Sequence, residues 1–160
     1  MGLSVTARQW LDENLGYVGA ALAYIVAGIH LFHPKLGFPR LVLLLATGNA
    51  QLLINDPRPL VFVMSALAII AGITLAIFDA DRAWMYPLGM TVVAAYFVGY
   101  FAWHFSGHGG FLPGREPLHH GLNVVDALVS HLSFSRTAAV SKVAELALLV
   151  VLGVLYRRKL

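Results

Sequence analysis

Apolar residues fill three charge-free runs, 14–34, 59–78 and 83–114, and a fourth apolar stretch, 138–156, carries only Lys142 and Glu145. A helix needs about 20 apolar residues to cross the hydrocarbon core of a bilayer. The runs are apolar on every face, unlike the alternating strands of a membrane β-barrel. Backbone groups in hydrocarbon must find partners within their own segment, which leaves helices. The pattern therefore predicts spans at roughly 14–33, 59–78, 83–105 and 138–156.

Two further segments are amphipathic. In 36–56, LGFPRLVLLLATGNAQLLIND, the residues Arg40, Thr47, Gln51 and Asn55 share a narrow helical arc, and the opposite side is mostly Leu, Val and Ala. That predicts a helix lying in the interface, with a fifth span as the alternative. Asn49 falls off the polar stripe. In 118–132, Leu118, Leu122, Val125, Val129 and Leu132 form one face. His119, His120, Asn123, Asp126, Ser130 and His131 form the other and are expected to face water.

The breaks are legible as well. DPRP at 56–59 holds two prolines, DADR at 79–82 is a polar turn, and SGHGGFLPGREP at 106–117 reads as a loop. Small-residue stripes suited to helix contact run along the first span (Gly19, Ala23, Ala27) and the second (Ala68, Gly72, Ala76). Trp84 and Tyr86 anchor the start of the third span, and Pro87 is expected in its opening turn. Lys142 and Glu145 are expected at headgroup level, because a charge at the bilayer centre costs several kcal/mol. The fold class expected is all-α integral membrane: one domain over 1–160, four transmembrane helices and two additional interfacial amphipathic helices. Both termini then share a side.

Composition agrees. Hydrophobic residues make up 59% of the chain and charged residues 12%, far from the balance of a soluble domain. The absence of cysteine excludes disulfides, thiolate metal sites and c-type haem attachment. The opening residues lack the features of a cleaved signal, so the first span is expected to be retained. Basic residues divide five to six between the two sides, which does not orient the chain. The terminal YRRKL reads as a helix stop and favours a cytoplasmic C-terminus. Nothing here resembles a nucleic-acid surface; the partners expected are the lipid bilayer and a membrane protein or a second copy of the chain.

Histidines carry most of the candidate chemistry. His30 and His33 end the first span, and His104 and His108 end the third. Each pair is spaced to share a helix side, and in a four-span arrangement both lie at one face. They are the candidate metal ligands: His30, His33, His104 and His108. His30 and His104, with Tyr100 beside them, are the candidate cofactor-binding set for a haem b or a divalent metal held between facing helices. Histidine also suits the interface on its own account. Tyr96, Tyr100, His104 and His108 form a stripe that suits a proton path or quinone pocket, although tyrosines equally pack as aromatic core. A proton-relay role for Glu145 requires its burial, which a position near the start of the last span does not favour. No catalytic residue set is recognisable.

The segments AALAYIVAGIHLFHP, GHGGFLPGREPLHHG and SKVAELALLVVLGVLYRRKL resemble small multi-pass membrane proteins of haloarchaea. His30 matches the IHL element at the end of their first helix. The resemblance implies a fold and a membrane location and carries over no catalytic residue. Three lysines against eight arginines fit such a source. Three functions follow as expectations. The first is a non-enzymatic accessory or scaffold component of a membrane complex in the cell membrane. The second is a haem- or metal-binding redox protein, and the third a small transporter or channel.

Overall fold

The computed structural model describes residues 5–78, 82–112, 114–118, 121 and 123–159. Among these residues seven helices are formed: α1 (Val5–Leu31), α2 (Phe38–Ala46), α3 (Ala50–Asn55), α4 (Arg58–Ile77), α5 (Arg82–Phe105), α6 (Val124–Phe134) and α7 (Arg136–Arg157). No strand occurs among the described residues. Helices α1, α4, α5 and α7 are long and apolar enough to cross a membrane. The chain is an all-α, four-span, multi-pass membrane protein. His119, His120, Leu122 and most of the DADR turn lie outside the described residues.

The segment 36–56 does not span, so the five-span alternative falls. It forms two short helices of 9 and 6 residues, and at 1.5 Å per residue neither crosses about 30 Å of hydrocarbon. The break has a local cause. Thr47 Oγ1 donates back to the Leu44 carbonyl at 2.6 Å, and the chain turns through Gly48. Asn49 then accepts from the Gln51 amide at 3.0 Å as the N-cap of α3. That role explains why Asn49 sits off the polar stripe. The second in-plane helix starts later than expected, at Val124, because Asn123 caps it through the Asp126 amide at 2.9 Å. Ser135 ends α6 with its amide on the His131 carbonyl and starts α7 with its hydroxyl on the Ala138 amide. The early start of α5 also places Pro87 one turn inside that helix.

The spans pack in the order α4, α1, α7, α5, and α5 closes back onto α4. Every neighbouring pair is antiparallel. The connectors holding α2, α3 and α6 therefore lie at one face, where α1 and α5 end. The core is a layer of small and branched residues: Val26, Ala27, Ala66, Val93 and Leu148 are nearly or fully buried. The small-residue stripe of α1 serves this packing. A Cβ on Gly19 would lie 3.1 Å from Val151 Cγ1, so the α1 and α7 backbones approach closely there. The α4 stripe does not: Ala68 is exposed and no atom lies within 4 Å of a Cβ built on Gly72. Outward Leu, Ile, Val and Phe side chains form the lipid-facing surface.

Two clamps fix the ends. Arg158 pairs with Asp12 at the face shared by the termini. At the other face Asp56 takes Arg58 through two hydrogen bonds of 2.7 Å, and the Arg58 guanidinium lies 3.7 Å over the Trp103 ring. The turn after α1 is tight. The Gly37 amide donates to the His33 carbonyl at 2.7 Å, and a Cβ on Gly37 would meet the Leu31 carbonyl oxygen at 2.4 Å. The His30 carbonyl oxygen and the His33 nitrogen follow at 2.7 Å; all three obstacles are backbone, so Gly37→Ala is expected to destabilise by roughly 1–3 kcal/mol. Gly28→Ala, with nothing within 4 Å of its Cβ, is expected to be neutral or to stabilise by up to about 1 kcal/mol. Reversible unfolding in detergent measures both, and equal effects would contradict the turn geometry.

Candidate functional site

The largest departure from expectation is Glu145. It is 0% exposed, and it lies nine residues into α7, or about 14 Å of helix rise. It is enclosed by protein well inside the apolar helix, not exposed at its end. The reason is that α7 begins two residues earlier than its hydropathy suggests and α1 ends deep against it. An unpaired carboxylate there would be very costly. Its partners come from the same helix: the Ser141 hydroxyl donates to Oε1 at 2.7 Å, and Lys142 Nζ donates to Oε2 at 2.5 Å. Ser141 and Glu145 are four apart and so share a face. Lys142 also donates to the Tyr96 carbonyl at 3.2 Å, which ties the pair to α5.

The third partner is His30, 3% exposed at the end of α1. Its Nδ1 lies 2.8 Å from the Val26 carbonyl, which can only accept, so Nδ1 carries a proton. Nε2 is then aimed at Glu145 Oε1, 3.4 Å away. With a neutral imidazole and an ionised carboxylate these are two acceptors facing each other. A proton between them relieves that conflict, and little ring movement is needed to bring them into hydrogen-bond range. Tyr96 stacks on the imidazole at 3.7 Å between ring centroids and donates its hydroxyl to the Phe62 carbonyl at 2.9 Å. A cavity of about 60 Å³ reaches this cluster from the α1-end face, lined by His30, His33, Phe62, Thr137, Ser141 and Lys142. Ile29, Leu36 and Ala138 complete a largely apolar lining, and there is room for a few water molecules beside the imidazoles, Ser141 and Lys142.

The second cluster lies at the same end of the bundle. His104 donates Nδ1–H to the Tyr100 carbonyl at 2.7 Å, which leaves Nε2 with the lone pair. His108 and His131 converge on it: ring centroids are 5.2 Å apart for His104–His108, 4.7 Å for His104–His131 and 5.0 Å for His108–His131. His108 stands in the left-handed region at φ 60°, between Gly107 at 66° and Gly109 at 89°. A side chain in that region costs roughly 1–2 kcal/mol. Gly109 is held by the Trp103 ring, 2.3 Å from where a Cβ would be, so only glycine fits. The loop thus forces His108 back over the end of α5.

The expected single site of His30, His33, His104 and His108 is not formed. His30 stacks on Tyr96, and His104 lies eight residues further along α5, about 12 Å of rise. His30 faces Glu145, His33 lines the cavity, and His104 and His108 are completed by His131 instead. His131 was expected on a wet face. It turns inward because α6 packs against both α5 and α7, while Val125 and Val129 take the exposed side. A haem does not fit either group. The three imidazoles touch one another and leave no slot for a porphyrin, and His30 is enclosed by Tyr96, Phe62 and Glu145. Tyr100 connects the clusters: its ring lies 4.3 Å from His104 and 5.0 Å from Lys142 Nζ. The tyrosine–histidine stripe of α5 therefore faces inward. Thr74 and Thr91 stand apart from it, since each hydroxyl donates to the carbonyl four residues back. Ser65 donates to the Val61 carbonyl in the same way, and its hydroxyl also lies against the Tyr96 hydroxyl as a hydrogen-bond partner.

Outside the spans, burial and the charges of Lys35 and Arg58 hold the His33 imidazole below its ordinary pKa. At Asp56 burial pushes the carboxyl up, but the Arg58 hydrogen bonds and charge, with Arg115 beyond, outweigh it and hold the pKa below the ordinary value.

Comparisons with family models, curated proteins and solved structures found no match to the chain.

Removing one partner from a buried ion pair typically costs about 3–5 kcal/mol, whereas replacing both by apolar residues is often neutral. Lys142→Ala is expected to lose stability on that scale, and the double change Lys142→Met with Glu145→Leu to recover most of it. Unfolding in detergent reads both, and a small effect of Lys142→Ala would mean Glu145 is not held as described. Asp56 makes the fold sensitive to acid. Its contribution is complete above the ordinary carboxylate pKa and is lost as pH falls through the lower folded-state value. Asp56→Asn should flatten the acid side of a melting-temperature profile; an unchanged profile would remove Arg58–Asp56 as its cause.

Proposed function

We propose that this chain is a proton-translocating protein of the cell membrane, with the Glu145 carboxyl and the His30 imidazole as its working groups. The observation that carries this reading is a fully buried carboxylate paired with Lys142 and Ser141 and approached by His30 Nε2. Ionisable residues inside a membrane are rare, face the bundle interior and mark ion paths and proton relays. The cavity supplies protons from the face where α1 ends. Beyond Glu145, towards the termini, the core is Ala23, Val26, Val93 and Leu148, with no polar step among the described residues. Release on that side requires the helices to part, so the expected behaviour is slow carrier-type turnover, not a channel current.

The accessory-component reading draws support from α4, whose Ala68 and Gly72 leave a shallow outward face for a second helix. The two readings are compatible. The resemblance to small haloarchaeal membrane proteins belongs to the same proposal and suggests a halophilic archaeal host.

The test is reconstitution into vesicles holding a pH-sensitive dye, with a pH gradient imposed. Wild type is expected to dissipate the gradient faster than protein-free vesicles, Glu145→Gln to fall to the protein-free rate, and His30→Ala to slow it. A wild-type rate equal to that of protein-free vesicles sinks the proposal.

A further inference from the structure

The geometry points to a divalent transition-metal site formed by the imidazoles of His104, His108 and His131, where the end of α5, the 106–110 turn and α6 meet. It is separate from the Glu145 cluster and does not rest on the proton reading. One ligand atom from each ring can be chosen so that all three lie within 4.8 Å of one another. Three nitrogens bound tetrahedrally at 2.0–2.1 Å from zinc would stand about 3.3 Å apart. The rings must therefore converge by about 1.5 Å at most, which side-chain rotation on half-buried residues supplies.

Three features favour an ion over a chance meeting of rings. The first is orientation: His104 already donates Nδ1–H to the Tyr100 carbonyl, the outer hydrogen bond that fixes a metal-binding tautomer. His108 Nδ1 has the Leu118 carbonyl at 3.5 Å, the same arrangement in a looser form. The second is backbone cost: His108 is held in the left-handed region between two glycines that are left-handed as well, a strained placement that aims its ring at the other two. The third is convergence from separate parts of the chain, since His131 lies on a different helix from His104.

An all-imidazole donor set suits zinc, cobalt, nickel or copper over magnesium or calcium. Three protein ligands leave a position open to water or to a small anion, as in sites that activate a bound molecule. The site sits at the mouth of the bundle, and Tyr100 lies between it and Lys142.

The test uses the full chain in detergent, stripped with chelator and titrated with Co²⁺, then with Zn²⁺ in competition. About one Co²⁺ per chain is expected, with visible absorption bands of tetrahedral or five-coordinate cobalt. His131→Ala and His108→Ala should each weaken binding by roughly 100-fold or more. Glu145→Gln should leave it unchanged. Zn²⁺ should raise the melting temperature of wild type and not of His131→Ala, a readout that separates loss of the site from loss of the fold. The proposal is overturned by an absence of stoichiometric binding. It is equally overturned by binding that survives both histidine changes, or by binding lost in His119→Ala or His120→Ala while His131→Ala retains it.

Discussion

A carboxylate buried inside an apolar bundle is the constraint on which the rest of this structure turns. Glu145 cannot be solvated by lipid, so its charge must be met by protein groups arriving together. Ser141 and Lys142 come from its own helix, and His30 comes from α1. Lys142 then reaches the Tyr96 carbonyl, and Tyr96 stacks on His30. One anion thus binds three spans to each other at a fixed height. The end of α1, the register of α7 and the inward face of α5 all follow from satisfying it.

That arrangement makes the bundle asymmetric. The buried ionisable and polar groups (His30, Tyr96, Ser141 and Glu145) lie toward the half nearest the α2, α3 and α6 connectors, where the cavity and the three imidazoles also lie. The half nearest the termini is a plain layer of Ala, Val, Ile and Leu, closed by the exposed Arg158–Asp12 pair. Such a pair contributes little to stability, so the terminal half is held by packing. Polar networks of the other half specify geometry, because a misplaced donor or acceptor in low dielectric carries a large penalty.

The in-plane segments do more than cover an edge. Between α5 and α7, the Gly-rich turn reverses over the end of α5 and presents His108, and α6 returns across the bundle with His131. Between α1 and α4, Asp56 and Arg58 lock onto Trp103. Both connectors are thereby tied to α5, the span whose tyrosines and histidine line the interior. The small-residue stripes split in the same spirit. Gly19 lets α1 approach α7, while Gly72 of α4 faces outward.

The number of spans, the membrane class and the polar breaks were readable from the chain because they follow from local quantities: run length, apolar content, proline and capping residues. Even the in-plane character of 36–56 was visible in its arc of Arg40, Thr47, Gln51 and Asn55. What local pattern could not supply was which polar groups meet. Glu145 looked superficial because a linear count measures distance from the start of a helix and not depth among neighbours. His131 looked wet because its helix is amphipathic, and periodicity cannot tell water from a ring of other imidazoles. His30 and His104 looked like partners because they end parallel spans, yet the reach of each side chain is decided by what packs beside it. Sequence alone determined the spans and their order. Only the packing of α1, α5, α6 and α7 decided the sites, because burial and hydrogen-bond partnership are properties of several segments at once.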